Sequence, residues 1–451
     1  MTAEGDKRSL TEALLPVLRR PIDSRTRQRA ACHLVDWLGC ALIGQRSEIA
    51  DVFRRELAPE TVSDLLLSGR DPSRLAMALG SLGSVLEMDD VHRTAILHPG
   101  PVVFPAAFSV SGEAGGKEFL DAAIRGYEAM IRLGIALGQG HYRYYHNTAT
   151  CGGFGSVIAA AELMRLDDAA VVAALGNAAS TAGGLWQCRN EPVMTKGFHP
   201  ADAARRGVQA ARLAAAGLTG TRFILEGPQG LFAATAPDSD RQRLIETMSP
   251  DWQIEETSFK PWPACRHAHA AIDAALLLRE RVDPRTIRRI GIATYRDARI
   301  FCDKPEPRTE AEAKFSLQHS VAVVFAEGLP TLPAFRPDRL QDEAFVHFRR
   351  KASVSEDDRY TSAYPRHFGT AVTVELDDGS TVTEAVADAL GDSENPLGQE
   401  AVIAKCRGLL NEARISAPLA DRLISQALAL AEGAPVLDLK ISLAQALQPA
   451  A

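Results

Sequence analysis

The sequence predicts a mainly α protein with a smaller α+β region, on three observations. Apolar residues recur at helical spacing through most of residues 8–255. Alanine and glycine crowd several of these stretches, which implies closely packed helices rather than a βαβ array. The clearest strand–turn–strand pattern falls only beyond residue 260, where Thr370–Leu376 alternates Val with polar residues before Asp378-Gly379 and a return over Thr381–Ala385.

In chain order, Leu10–Leu18 and Thr26–Leu42 carry helical periodicity, with Gly44 as a stop signal. Leu75–Val85 is a small, apolar, helix-like run, and Pro101–Val110 is another apolar stretch. Lys117–Leu137 reads as one long amphipathic helix. Ser156–Leu166 and Asp168–Gly184 are rich in Ala and Gly, and Pro200–Ala216 is an Ala-rich helix ended by Gly217. The character changes near Pro261. Ala264–Arg281 reads as helix, Ile287–Tyr295 as strand and Glu312–Glu327 as helix, followed by the hairpin. From Asn395-Pro396 the pattern is helical again and is expected to rejoin the first region, with a loose tail after Leu443.

The bulk composition excludes several function classes. The 451 residues are 46% hydrophobic and 24% charged, ordinary for a globular chain large enough to bury a substantial core. A net charge of −7 offers no overall basic field for nucleic acid or an anionic membrane. Met1–Leu15 has no apolar signal-peptide core, and no apolar run approaches the ~18 residues of a membrane span. The seven cysteines are scattered without a CxxC pair, which fits reduced thiols in the cytoplasm. His92 and His98 are six apart, His267 and His269 two apart, and HExxH is absent, so no metal site is expected.

The most chemically loaded segment is Glu87–Pro99. Three carboxylates (Glu87, Asp89, Asp90) and two histidines (His92, His98) lie there between two apolar segments. Such groups are costly to desolvate unless paired or used. Burial and like charges also move carboxylate and imidazole pKa values toward working pH, which suits proton transfer.

This segment, Glu87-Met88-Asp89-Asp90-Val91-His92 followed by His98-Pro99-Gly100, resembles a motif of the MmgE/PrpD family. Further similarities follow in family order. They are Gly126-Tyr127-Glu128 with Arg132, His146-Asn147-Thr148-Ala149-Thr150 leading into Gly152-Gly153-Phe154-Gly155, and Lys196-Gly197-Phe198-His199. Then come Ile224-Leu225-Glu226-Gly227, Lys260-Pro261-Trp262-Pro263-Ala264-Cys265-Arg266, Lys314-Phe315-Ser316-Leu317 and Asn395-Pro396-Leu397. The likeness spans nearly the whole chain, and the order of the motifs is more specific than any one of them.

The resemblance implies a large all-helical domain from residues 1–259 and 392–451, a smaller α+β lid over 260–391, a homodimer, and a metal-independent site between the domains. It also implies a cofactor-independent lyase acting on a di- or tricarboxylate such as 2-methylcitrate. Dehydration beside a carboxylate needs a base for the carbon proton, an acid for the leaving oxygen and cations for the developing charge. The same logic serves an epimerase or a decarboxylase, and a non-catalytic carboxylate-binding protein is the reading from a different class.

On this resemblance Asp90 and His98 are the expected acid–base pair, with Lys196 and His199 completing the catalytic set. Glu87, His92, His146, Thr148, Lys260, Arg266 and His319 are the expected substrate-binding residues. Lys196 and His199, three apart, share one side of a turn if that turn is helical. Backbone N–H groups near Thr148 at a helix start suit a carboxylate, and Arg266 suits bidentate binding of one. Three positions depart from common family forms: Glu87 stands where aspartate is frequent, Val91 where threonine is frequent, and His319 where some relatives carry tyrosine.

Overall fold

The computed structural model describes residues 8–191, 193–246 and 250–448. The chain divides into two compact units. The first takes in the chain up to Val85, then Asp89–Thr257, then the residues from Gly398 on; the second takes in Leu86–Met88 and Ser258–Leu397. The mainly α class expected from the periodicity is what the structure has.

The first unit is built from helices, and its longest are Ser24–Gly44, Gly116–Tyr142, Asn147–Leu163 and Thr195–Ala215. Side-chain caps fix many of the starts. Ser9 and Glu12 form a reciprocal capping box before Leu10–Leu18, Asp23 accepts from the Thr26 N–H, and Asp167 accepts from the Ala170 N–H. The small residues do what their abundance implied. A Cβ added at Gly126 would lie 2.8 Å from the Gly155 carbonyl oxygen, so the Gly116–Tyr142 and Asn147–Leu163 helices touch backbone to backbone. Thr195–Ala215 packs on Asn147–Leu163 and on Pro72–Gly80, and Gln399–Glu412 packs on Ser24–Gly44, so the two ends of the chain share one core. Leu34, Leu38 and Leu42 are fully buried on Ser24–Gly44. Each contributes about 2 kcal/mol of apolar burial, which anchors the helix carrying the polar residues described below.

The second unit holds a four-stranded sheet in the order Ala352–Glu356, Ile287–Thr294, Thr370–Leu376, Thr381–Val386. The central strand runs parallel to Ala352–Glu356 and antiparallel to Thr370–Leu376, with Ile290 opposite Val374 and Ile292 opposite Val372. These four apolar side chains form one buried face, packed with Ile272, Ala275 and Leu278 of the His269–Arg279 helix. The hairpin turns at Gly379, whose φ of +84° is disfavoured for residues with a Cβ.

Four readings of the sequence change. Asn147–Leu163 starts nine residues before the expected Ser156. Glu312–Glu327 is two helices, Glu310–Lys314 and Leu317–Glu327, separated where Ser316 caps the second by accepting from the His319 N–H at 3.0 Å. The Ala352–Glu356 strand has no counterpart in the expectation. The tail is not loose at Leu443: Val436–Ala446 is helical, and Leu443, Ala444 and Ala446 are buried. Among the described residues, no helix is long and apolar enough to cross a membrane.

Candidate active site

In the first unit, Asp89–His98 forms a tight reversal between Pro72–Gly80 and Gly100–Val110. The His92 N–H donates to the Leu97 carbonyl at 2.9 Å, and His92 Nδ1 accepts from the Ala95 N–H at 3.2 Å. His92 is therefore a brace of the turn. Burial, then the Arg93 charge, push its pKa down to about 3, so the ring is neutral at pH 7.

The reversal delivers His98. Its Nδ1 lies 2.8 Å from the Asp90 backbone carbonyl and 3.0 Å from Asp89 Oδ2. Both neighbours only accept, so Nδ1 carries the proton and Nε2 of the neutral ring keeps its lone pair. The side chain is 15% exposed, so a ligand can reach the ring. The His98 N–H donates to Thr148 Oγ1 at 3.1 Å, which ties the reversal to the first turn of Asn147–Leu163.

The expected acid–base pair is thereby re-sorted. Asp90 supplies only its backbone to His98. Its carboxylate accepts from Tyr127 Oη at 2.7 Å and from the Gly100 N–H at 3.0 Å, and it meets His33 Nδ1 at 2.8 Å. The close approach requires glycine at 100, because a Cβ there would lie 2.8 Å from Asp90 Oδ1. The acidic partner of His98 is Asp89.

Three further candidates gather near His98. His146, the residue before the Asn147–Leu163 helix, has its ring centroid 6.4 Å from that of His98 and stacks on Trp186 at 4.3 Å. His146 Nδ1 lies 3.0 Å from His199 Nδ1. Lys196 and His199 both sit in the first turn and a half of Thr195–Ala215. Burial first, then neighbouring positive charge including Lys196, push both histidines down, His199 to about 4 and His146 well below its ordinary value. Two neutral rings sharing one Nδ1–H···Nδ1 bond have fixed complementary tautomers. The donor ring keeps a lone pair on Nε2, and the acceptor ring carries its proton on Nε2. The pair thus offers one base and one proton donor. Thr148 is buried, and its hydroxyl is engaged by His98. The glycines of Gly152–Gly155 lie inside the helix, where Gly152 and Gly155 serve close packing.

In the second unit, fully buried Lys260 places Nζ 3.3 Å from the Glu87 carbonyl and 3.5 Å from Glu87 Oε2. Glu87 adopts φ +56°, which directs its backbone carbonyl and carboxylate to the same ammonium. Arg266, expected to grip a substrate carboxylate, is 4% exposed. It is ion-paired with Asp392 and donates to the Phe259, Ala389 and Leu390 carbonyls, so both terminal nitrogens of its guanidinium are engaged from within the unit. His319 is likewise a core residue. Its Nε2 meets the Ala334 carbonyl at 3.0 Å, Nδ1 meets Arg349 at 3.2 Å, and two phenylalanines pack edge-on. Burial pushes its pKa to about 4. His267 is buried in an aromatic cage, parallel to Phe368 and 2.5 Å from Tyr295 Oη through Nδ1. Among the described residues, one group of three ligand-type side chains converges, His367, Asp388 and Glu394; His367 Nδ1 and Asp388 already meet at 2.8 Å.

Sequence reasoning missed His33, Asp36 and Lys405. The signal was present. His33 and Asp36 are the only ionisable side chains other than cysteine in Ala30–Leu42, and Lys405 interrupts the apolar run 401–406. A polar group in an apolar helix stripe has to find a partner. Lys405 Nζ pairs with Asp36 Oδ1 at 2.6 Å, and His33 pairs with Asp90.

The comparisons with known proteins cover both units. The model of the MmgE/PrpD N-terminal domain matches residues 10–244, and that of the MmgE/PrpD C-terminal domain matches residues 262–430. A cis-aconitate decarboxylase-like protein of Aspergillus oryzae is 25% identical over 446 residues, covering 91% of this chain and 92% of its own. The cis-aconitate decarboxylase of Homo sapiens is 25% identical over 410 residues, covering 86% and 84%. The 2-methylcitrate dehydratase of Salmonella typhimurium is 25% identical over 386 residues, covering 79% of each. With both domain models matched in order across most of its length, the chain belongs to the MmgE/PrpD family.

Proposed function

We propose that the protein is a cofactor-independent lyase acting on a citrate-like di- or tricarboxylate, with dehydration as its reaction. The observation that carries this reading is the His98 ring, whose Nδ1 proton is held by the Asp90 carbonyl, with Asp89 Oδ2 3.0 Å away, so that Nε2 of the neutral ring is a base. In this reading Nε2 takes the proton from a carbon beside a substrate carboxylate. The developing negative charge is met by the Lys196 ammonium. The Nε2–H of the His146–His199 pair donates a hydrogen bond to the departing hydroxyl, the proton that His98 took from carbon is passed to that oxygen, it leaves as water, and the carbon–carbon double bond forms.

A second reading is decarboxylation of a related acid. It is favoured by the name of the relative that covers 91% of this chain. The same base and cation then hold the acid while CO₂ leaves, and a proton is returned to carbon.

Incubation in D₂O with 2-methylcitrate, cis-aconitate and related acids, followed by NMR, tests both. C–H exchange with an unsaturated acid as product supports dehydration, and CO₂ release supports the second reading. Tight binding of these acids with neither exchange nor turnover would replace both with a carboxylate-binding role.

A further inference from the structure

We propose that Trp186 is a positioning residue for the His146–His199 pair: its indole is the plate that holds the His146 ring in the plane in which Nδ1 meets His199 Nδ1. The inference rests on the reading of that pair as the hydrogen-bond donor to the departing hydroxyl.

The backbone of His146 is pinned on both sides. Its N–H donates to the Gly184 carbonyl at 2.7 Å, and its carbonyl accepts from the Ala149 and Thr150 N–H groups at 2.8 and 3.1 Å. What remains free is the side chain, and the outer torsion of an imidazole is soft and roughly two-fold. The backbone therefore leaves the plane of the ring undecided. Trp186 decides it. The two rings stack with centroids 4.3 Å apart and planes 29° from parallel. A ring turned out of this plane would drive its edge into the indole. Two settings are left, related by a half-turn. One of them brings Nδ1 to within 3.0 Å of His199 Nδ1, and the other offers His199 only a C–H.

The indole is itself fastened to the segment it braces. The Trp186 N–H donates to the Tyr144 carbonyl at 2.8 Å, and Thr150 Oγ1 donates to the Gly183 carbonyl at 2.8 Å. Tyr145 and Leu185 form an antiparallel bridge between these bonds. Gly184 turns the return at φ +100°, so close to the Asn147–Leu163 helix that a Cβ there would collide with the Ala149 methyl. Tyr142 packs edge-on to the indole at 5.7 Å. Trp186 is 6% exposed, and its Nε1–H meets no acceptor among the described residues. A buried donor without an acceptor is a cost, so the indole is present for its face rather than for a hydrogen bond. The charged and titratable groups acting on the two rings are Lys196, Asp202, Arg206 and His98. A neutral substitution at 186 alters none of those charges, so what it changes is the orientation of the ring.

Trp186→Leu and Trp186→Phe test this in the full chain. The probe is the ¹⁵N NMR shifts of the imidazole nitrogens at a pH where both rings are neutral, assigned by their loss in His146→Asn and in His199→Asn. In the parent the two rings hold single, complementary tautomers, one with its proton on Nδ1 and the other on Nε2. In Trp186→Leu the shared bond is lost, and both sets of shifts move to the average of two tautomers. Trp186→Phe keeps a ring face and retains the parental shifts. On whichever acid turns over, kcat falls about tenfold in Trp186→Leu and recovers in Trp186→Phe, with KM within about twofold of the parent. A folded Trp186→Leu protein with parental shifts overturns the proposal, and so does a Trp186→Phe protein whose shifts move as far as those of Trp186→Leu. If Trp186→Leu does not fold, Trp186→Met is read in the same way. Averaged tautomers with parental turnover would remove the pair from the reaction and leave the positioning standing.

Discussion

Asp89 Oδ2 lies 3.0 Å from His98 Nδ1, while the neighbouring Asp90 carboxylate is held by Tyr127, Gly100 and His33. Adjacent acidic residues have thus been given different work. One orients a ring that solvent can reach, and the other ties three elements together. The division predicts different consequences for the two. His98→Asn is expected to lower kcat/KM by about 10²-fold or more and Asp89→Asn by about 10-fold, with little change in melting temperature. Steady-state kinetics on whichever acid turns over, beside thermal melts, would check this. Parental rates in both variants would remove the pair from the mechanism.

Asp90→Asn should show the opposite profile. The carboxylate takes up a Tyr127 hydroxyl, a backbone N–H and the His33 ring, all buried. An amide has only one oxygen for these roles and turns its NH₂ toward a partner. The expected cost is about 2–3 kcal/mol of stability. Gly100→Ala attacks the same knot from the backbone, since its Cβ would fall 2.8 Å from Asp90 Oδ1 and 3.1 Å from Tyr127 Oη. Urea denaturation of each should show the loss. Additive losses in the double variant would mean that the two residues do not share one network.

That knot also marks where the sequence stopped being legible. Periodicity located the long helices, and the Val–polar alternation with Asp378-Gly379 located the hairpin, because both patterns repeat locally. The Asp89–His98 reversal does not repeat. It depends on left-handed backbone at Ile96, and which of two adjacent carboxylates faces His98 follows from that path. Arg266 and His319 looked like substrate ligands because their internal partners, Asp392 and Arg349, lie far along the chain. The Ala352–Glu356 strand was hidden because it is only half-buried and alternates small and polar residues.

Buried neutral histidines make the fold acid-sensitive. His33, His92, His141, His199, His267 and His319 are pushed down to about 3–4, and His146 well below its ordinary value, burial being the first cause in each. An unfolded chain protonates these rings near pH 6.5, whereas the folded chain does so only near pH 4 or below. Stability contributed by their burial is therefore full above pH 6.5 and lost as pH falls toward 4, at up to about 1.4 kcal/mol per pH unit per histidine. Asp36, raised to about 6, runs the other way, binding its proton in the folded state first, but it is one group against seven. Melting temperature should drop steeply between pH 6.5 and 4.5. A flat profile over that interval would mean that these rings are charged in the folded protein.

Lys260 and Glu87 allow a test within the second unit. The ammonium is fully buried, and Glu87 supplies both its carbonyl and its carboxylate to it. Removing one partner leaves a charge with part of its environment missing, so Glu87→Gln and Lys260→Met should each destabilise by about 3 kcal/mol. Lys260→Met also relieves burial of the cation, so the double variant should cost less than the two singles together, with a coupling of about 1–2 kcal/mol. His267 supplies an independent reporter, because Lys260 is among the charges that push its pKa down and Glu87 pushes the other way. Its NMR titration should therefore move up in Lys260→Met and further down in Glu87→Gln. A shift in the same direction in both variants would mean that the ring responds to local unfolding rather than to these charges.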